Sequence, residues 1–131
     1  MQNELCHLHL AVNGKIKSRS KDISKSDAES FVKDLLVATD MKPLGPLIWS
    51  GAEDLDFPGQ SFVQMITTSH LSLHYFSDIN EIYFDLYSCK DFNPEKVVEL
   101  INSYFGLTNY HGIVYKRNKS KEAQISKIGK W

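Results

Sequence analysis

The sequence is short of most features that mark a specialised chain. Among its 131 residues there are two cysteines, Cys6 and Cys89. Two thiols so far apart make neither a disulfide framework nor a metal-binding spacing, and they imply free thiols in a reducing cytoplasm. No apolar run approaches the roughly 18 residues of a membrane-spanning helix, and the first residues lack the basic-then-apolar order of a secretory leader. Charge of one sign is missing too. The net charge is −1, so the chain as a whole attracts neither nucleic acid nor an anionic membrane. There is no internal repeat. What remains is 42% hydrophobic and 24% charged residues, an ordinary globular composition in one domain large enough to bury a sizeable core.

Periodicity then supplies the elements. Leu5 to Val12 alternates with a period of two and predicts a strand. Asn13-Gly14 predicts a turn, and Lys15 to Lys25 a loop. Ser26-Asp27-Ala28-Glu29 reads as a capping box. It opens a helix with Phe31, Val32, Leu35 and Leu36 on one face. Pro43, Gly45 and Pro46 close that region. Short strands are expected at Leu47 to Trp49, Ser61 to Thr68, His70 to Phe76, Ile82 to Cys89 and Tyr110 to Lys116, with an acidic loop from Ser50 to Gln60. Asn93-Pro94 caps a second helix with apolar Val97, Val98, Ile101 and Phe105, and Gly106 stops it. From Lys116 onward six basic residues and one acid predict a solvated, flexible tail. Strands in runs with two helices imply an α+β fold: a two-layer α/β sandwich, mainly antiparallel, with both helices on one face of the sheet. The domain is expected to span 1–115 and the tail 116–131. The other sheet face is left for water or for a second copy.

One stretch resists a purely structural reading. Ser69-His70-Leu71-Ser72-Leu73-His74 begins as a core strand, yet it carries a serine and two histidines, and Cys89 follows on the next strand. His70, Ser72 and His74 share one face. A polar sheet face, wet or buried in a dimer, accounts for them as readily as acyl-transfer chemistry does. There is no G-x-S-x-G elbow and no evident acid partner. His7 and His9 alternate as a metal pair would, but sequence places no third ligand, and no metal is assigned. Glu53, Asp54 and Asp56 match no calcium-loop pattern.

Gly59-Gln60-Ser61, then Ser69 through His74, then Asp85-Leu86-Tyr87-Ser88-Cys89 together resemble the prokaryotic S-adenosylmethionine decarboxylase proenzymes. The likeness is strong from Gly59 to Lys90 and weak from the first strand to about Tyr115. It implies a cofactor made from the chain itself. Ser69 would attack the carbonyl of Thr68, turn the amide into an ester, and end as a covalent pyruvoyl group after elimination cuts the chain between Thr68 and Ser69. Ser61 and His74 match the positions that assist processing. Cys89 matches the residue that returns a proton to the former α-carbon, a task suited to a thiol because thiols ionise within a few units of neutral pH. Phe57, Phe76 and Asp78 fall where the substrate is held: aromatic faces for adenine or the sulfonium, a carboxylate for ribose hydroxyls. The resemblance further implies S-adenosylmethionine as substrate, a role in spermidine and other polyamine synthesis, a homodimer, and no metal.

The chain departs from the family pattern at three of these positions. Thr68 stands for the usual glutamate, and Phe76 and Asp78 replace a different aromatic residue and a glutamate. Two alternatives follow from the departures: a pyruvoyl-dependent decarboxylase of ornithine or arginine, and an uncleaved homologue without enzymatic activity.

Overall fold

The computed structural model describes residues 7–18, 22–52, 56–67, 69–118 and 121–130. Cys6, Glu53, Asp54 and Thr68, weighed above, lie outside the described residues.

Alternation of apolar and polar side chains builds the sheet. Its strands are β1 (His7–Ile16), β2 (Ile48–Ala52), β3 (Gly59–Ile66), β4 (Ser69–Phe76), β5 (Glu81–Ser88), β6 (Leu107–Asn118) and β7 (Lys121–Gly129). They pair antiparallel in one sheet of order β2-β3-β4-β5-β1-β6-β7. Helices α1 (Lys25–Thr39) and α2 (Pro94–Phe105) bury their apolar stripes against one sheet face. Leu8, Leu10 and Val12 of β1, Phe62 and Ile66 of β3, Leu71 and Leu73 of β4, and Phe84 and Leu86 of β5 meet Phe31, Leu35, Val97 and Ile101 of the helices, all of them buried. This is the expected α+β sandwich, with both helices on one face.

Phe31 is the packing hub. Its ring lies 6.1 Å from both Phe62 and Phe84, 5.5 Å from Tyr104 and 5.1 Å from Phe105. One side chain thus joins α1, α2 and two strands.

Several expectations are corrected. Asn13-Gly14 is no turn but the middle of β1, paired on both sides, to Tyr83 and Ile82 of β5 and to His111 and Tyr110 of β6. The glycine serves packing: a Cβ there would stand 2.5 Å from Leu107 Cδ2. The capping box lies two residues earlier. Ser24 is the N-cap; its hydroxyl accepts from Asp27 N–H at 3.0 Å, and the Asp27 carboxylate accepts from Ser24 N–H at 3.1 Å. The tail is corrected most. β6 runs on past Lys116 to Asn118, and β7 pairs along it from Asn118↔Lys121 to His111↔Gly129, with a register shift between Lys116 and Asn118. The region reads as polar because β7 is an edge strand, where exposed lysines are usual. Ile128 packs on the core beside Gly112, which has no side chain in its way.

Replacing Phe31 with alanine is expected to cost about 3–5 kcal/mol of stability, the range for a large buried aromatic. Urea unfolding measures it. A loss under about 1 kcal/mol would show that this hub does not organise the core.

Candidate active site

Strand parity decides which side chains meet. On β4, Ser69, Leu71, Leu73 and Tyr75 point to the helix side and are buried, whereas His70, Ser72, His74 and Phe76 point to the open side. Ser69 and His74 are five residues apart, an odd number, so they face opposite sides of the sheet. At about 3.3 Å per residue their Cα atoms lie roughly 16 Å apart. Within one chain the histidine does not reach the serine.

Ser69 instead meets Cys89. It opens β4 directly opposite Ile66, the last residue of β3. Its hydroxyl is 6% exposed as part of the residue and accepts a hydrogen bond from the Cys89 backbone N–H at 3.3 Å. A donor aimed at Oγ favours the developing alkoxide when the hydroxyl loses its proton. The Cys89 side chain is half-buried, one residue past the end of β5. The scissile link implied by the resemblance thus lies immediately before the first residue of β4.

Ser61 and His74 form the other half. They are register partners on β3 and β4, and Ser61 Oγ lies 2.7 Å from His74 Nδ1. With Nδ1 engaged, Nε2 is the nitrogen left for proton transfer.

His74 borders an apolar recess of about 420 Å³, lined also by Phe57, Phe76, Ile79 and Tyr83. Its rings stand edge to face: Phe57 on Phe76 at 6.4 Å and Phe76 on Tyr83 at 5.4 Å. Asp78 is exposed in the β4–β5 turn and does not line this recess. Tyr83 and Ile79 were not foreseen. Tyr83 is legible only through register, being the β5 partner of His74. Its hydroxyl donates to Glu81 Oε1 at 3.0 Å. That hydrogen bond, and to a lesser degree burial, holds the phenol above its ordinary pKa.

A further polar cluster surrounds Tyr87 on the open face. His7 Nδ1 meets the Tyr87 hydroxyl at 2.5 Å, and His9 Nε2 meets Asp85 Oδ1 at 3.0 Å. His70 leans on the Tyr87 ring, and the Arg117 guanidinium lies 5.0 Å from its centre. Among the described residues no group of three or more His, Cys, Asp or Glu could hold a metal ion.

Gly59 fixes the start of β3. Its φ of 153° is one that side-chain-bearing residues rarely adopt, and a Cβ would come within 1.7 Å of the Tyr75 carbonyl oxygen. Gly59→Ala is therefore expected to lower the urea midpoint by the equivalent of at least about 1–3 kcal/mol, the cost of a strained backbone. An unchanged midpoint would show that this end of β3 relaxes freely.

The fold and the serine set at the head of a strand define a class: a two-layer α+β protein with a central antiparallel sheet and helices on one side. The sequence profile described as S-adenosylmethionine decarboxylase matches residues 9–118, and the chain belongs to that family. The crystal structure of the adenosylmethionine decarboxylase from Aquifex aeolicus VF5 superposes with a TM-score of 0.71 at 15% identity, covering 92% of this chain and 97% of that chain. At that identity the likeness concerns the fold. No curated protein sequence matches the chain. Among the described residues no helix is long and apolar enough to cross a membrane.

Proposed function

We propose that the chain is a self-processing, pyruvoyl-dependent S-adenosylmethionine decarboxylase that serves polyamine synthesis in the cytoplasm and works as a homodimer. The observation that carries the reading, alongside family membership, is the Ser69 hydroxyl held on the Cys89 N–H at the head of β4. The residues present fit a pyruvoyl group made in place: the nucleophile is next in sequence to the Thr68 carbonyl, and a hydrogen-bond donor already addresses its oxygen.

In processing, Ser69 Oγ gives up its proton and attacks the Thr68 carbonyl carbon. The C–N bond breaks, the serine nitrogen takes a proton, and an ester joins Thr68 to Ser69. Loss of the Ser69 α-proton then expels Oγ with the Thr68 carboxylate. Water replaces the nitrogen, which leaves as ammonia, and fragments 1–68 and 69–131 result. The finished group supplies an electrophilic ketone that withdraws the electrons left behind when carbon dioxide departs. Cys89 delivers a proton to the α-carbon from its thiol.

The separation of the two half-sites supports the dimer. Ser61, His74 and the aromatic recess lie roughly 16–23 Å along β4 from Ser69, at about 3.3 Å per residue, too far for one substrate to span. Two copies placed open face to open face, in opposite directions, would set the Ser61–His74 recess of one over the strand end that carries Ser69 in the other; the Ser69 hydroxyl faces the helix side, but the keto carbon would derive from the Ser69 Cα, in the plane of the sheet. Exposed Ile48 and Met65 on that face, 67% and 52% accessible, would then be covered. Phe57, Phe76 and Tyr83 receive the adenine or the sulfonium, and Asp78 the ribose hydroxyls.

Release of labelled carbon dioxide tests the substrate. S-adenosylmethionine is expected to be turned over, and ornithine and arginine not; the reverse would assign a sister decarboxylase. Ser69→Ala is expected to stay full length. Cys89→Ala keeps its backbone N–H and is expected to cleave yet lose at least about 100-fold in turnover, the scale of a positioned proton donor.

Subunit sharing has its own test. Ser69→Ala and His74→Ala, each inactive alone, are expected to recover part of the activity when co-expressed, because one mixed site per dimer is intact. Recovery no greater than the sum of the two variants would place both halves of the site in one chain.

A further inference from the structure

The connection before Ser69 is held by two different segments. Upstream, the stretch after α1 runs beside the end of β3. Lys42 O accepts from Thr67 N–H at 3.2 Å, Leu44 N–H donates to Met65 O at 2.9 Å, Pro43 bridges to Ile66, and Gln64 Nε2 donates to Gly45 O at 3.0 Å. Downstream, the stretch after β5 holds Ser69. Cys89 N–H donates to Ser69 Oγ at 3.3 Å, and Lys90 N–H donates to Ser88 Oγ at 2.8 Å. Lys90 ties the two segments together. Its Nζ donates to both the backbone oxygen and the Oδ2 of Asp40, each at 2.7 Å. Asp40 is the left-handed C-cap of α1, its own N–H returned to Leu36 and Val37 carbonyls. It therefore offers a fixed carbonyl and a fixed carboxylate from the end of a helix, where a cation also suits the helix dipole.

This pair does little for folding as such. The Lys90 and Asp40 side chains are 50% and 95% accessible, and exposed ion pairs contribute little to stability. Its geometry bears instead on distance. The carbonyl that Ser69 must attack is that of the residue following Thr67, whose N–H is held by Lys42 O, while the attacking oxygen is held by Cys89 N–H.

We infer that Lys90 and Asp40 are positioning residues for self-cleavage: their contact clamps the segment that holds the upstream arm of the hairpin to the segment that holds Ser69. The inference rests on the self-processing reading. It also makes the clasp a contact between the two products, since Asp40 falls in the fragment before the cut and Lys90 in the fragment after it.

The test follows the rate at which freshly made full-length chain converts to fragments, by intact mass, together with urea unfolding. Lys90→Met is expected to slow conversion about tenfold, within the up to 100-fold that a misplacement of about 1 Å costs, with the urea midpoint unchanged. Lys90→Arg, which keeps a cation and its donors, is expected to restore most of the rate. Asp40→Asn, which tolerates the left-handed backbone, is expected to fall between. High salt is expected to slow the wild type but not Lys90→Met. If the wild type cleaves and Lys90→Met cleaves as fast, the clasp is overturned while the processing reading stands. Slowing that Arg does not rescue, accompanied by a lowered urea midpoint, would make the contact merely structural and overturn it equally. A wild type that never cleaves overturns both.

Discussion

The hydrogen-bond register between β3 and β4 is the constraint on which the rest depends. Ile66 faces Ser69 and Ser61 faces His74; every other feature of the site follows from that pairing. It puts the serine at the head of a strand, where its hydroxyl turns inward to Cys89 N–H. It puts the histidine on the other face and far along the strand, beside its own serine partner and an aromatic recess. A slip of one residue would exchange the faces and bury His74 in the core. The helices hold this register by covering Leu71 and Leu73, and Phe31 holds the helices.

The same parity gives the molecule two unlike surfaces. The helix side is a closed hydrocarbon core. The open side carries His7, His9, His70, Tyr87, Asp85 and Arg117 in mutual contact, with Ile48, Val63 and Met65 beside them. An apolar and histidine-rich sheet face of this kind suits burial against another polypeptide more than exposure to water. Ser69 and Cys89 lie together near one end of β4, and Ser61, His74 and the aromatic rings near the other.

Much of this was legible in the residues themselves. Periodicity located both helices and most strands, because their apolar stripes are long and regular. The Asn93-Pro94 start and Gly106 stop of α2 were read directly, since capping is local chemistry. Where the reading failed, tertiary context outweighed local signals. Asn13-Gly14 looks like a turn, yet neighbours on both sides hold it extended. The stretch after Lys116 looks like a tail, yet an edge strand needs one apolar face only in part, and β7 is seated by its pairing with β6 and by Ile128 against the core. At the site, motif spacing singled out Ser69, His74 and Cys89 but not their separation, which depends on counting faces along β4. Tyr83, Ile79 and the Lys90–Asp40 contact come from register and from chain segments distant in sequence, and no local pattern announces them.

The most direct measurement is the intact mass of the purified wild-type protein under denaturing conditions. Two species ending at Thr68 and beginning at residue 69, the second blocked to Edman degradation, are the predicted result. A single full-length species that persists on long incubation would contradict it.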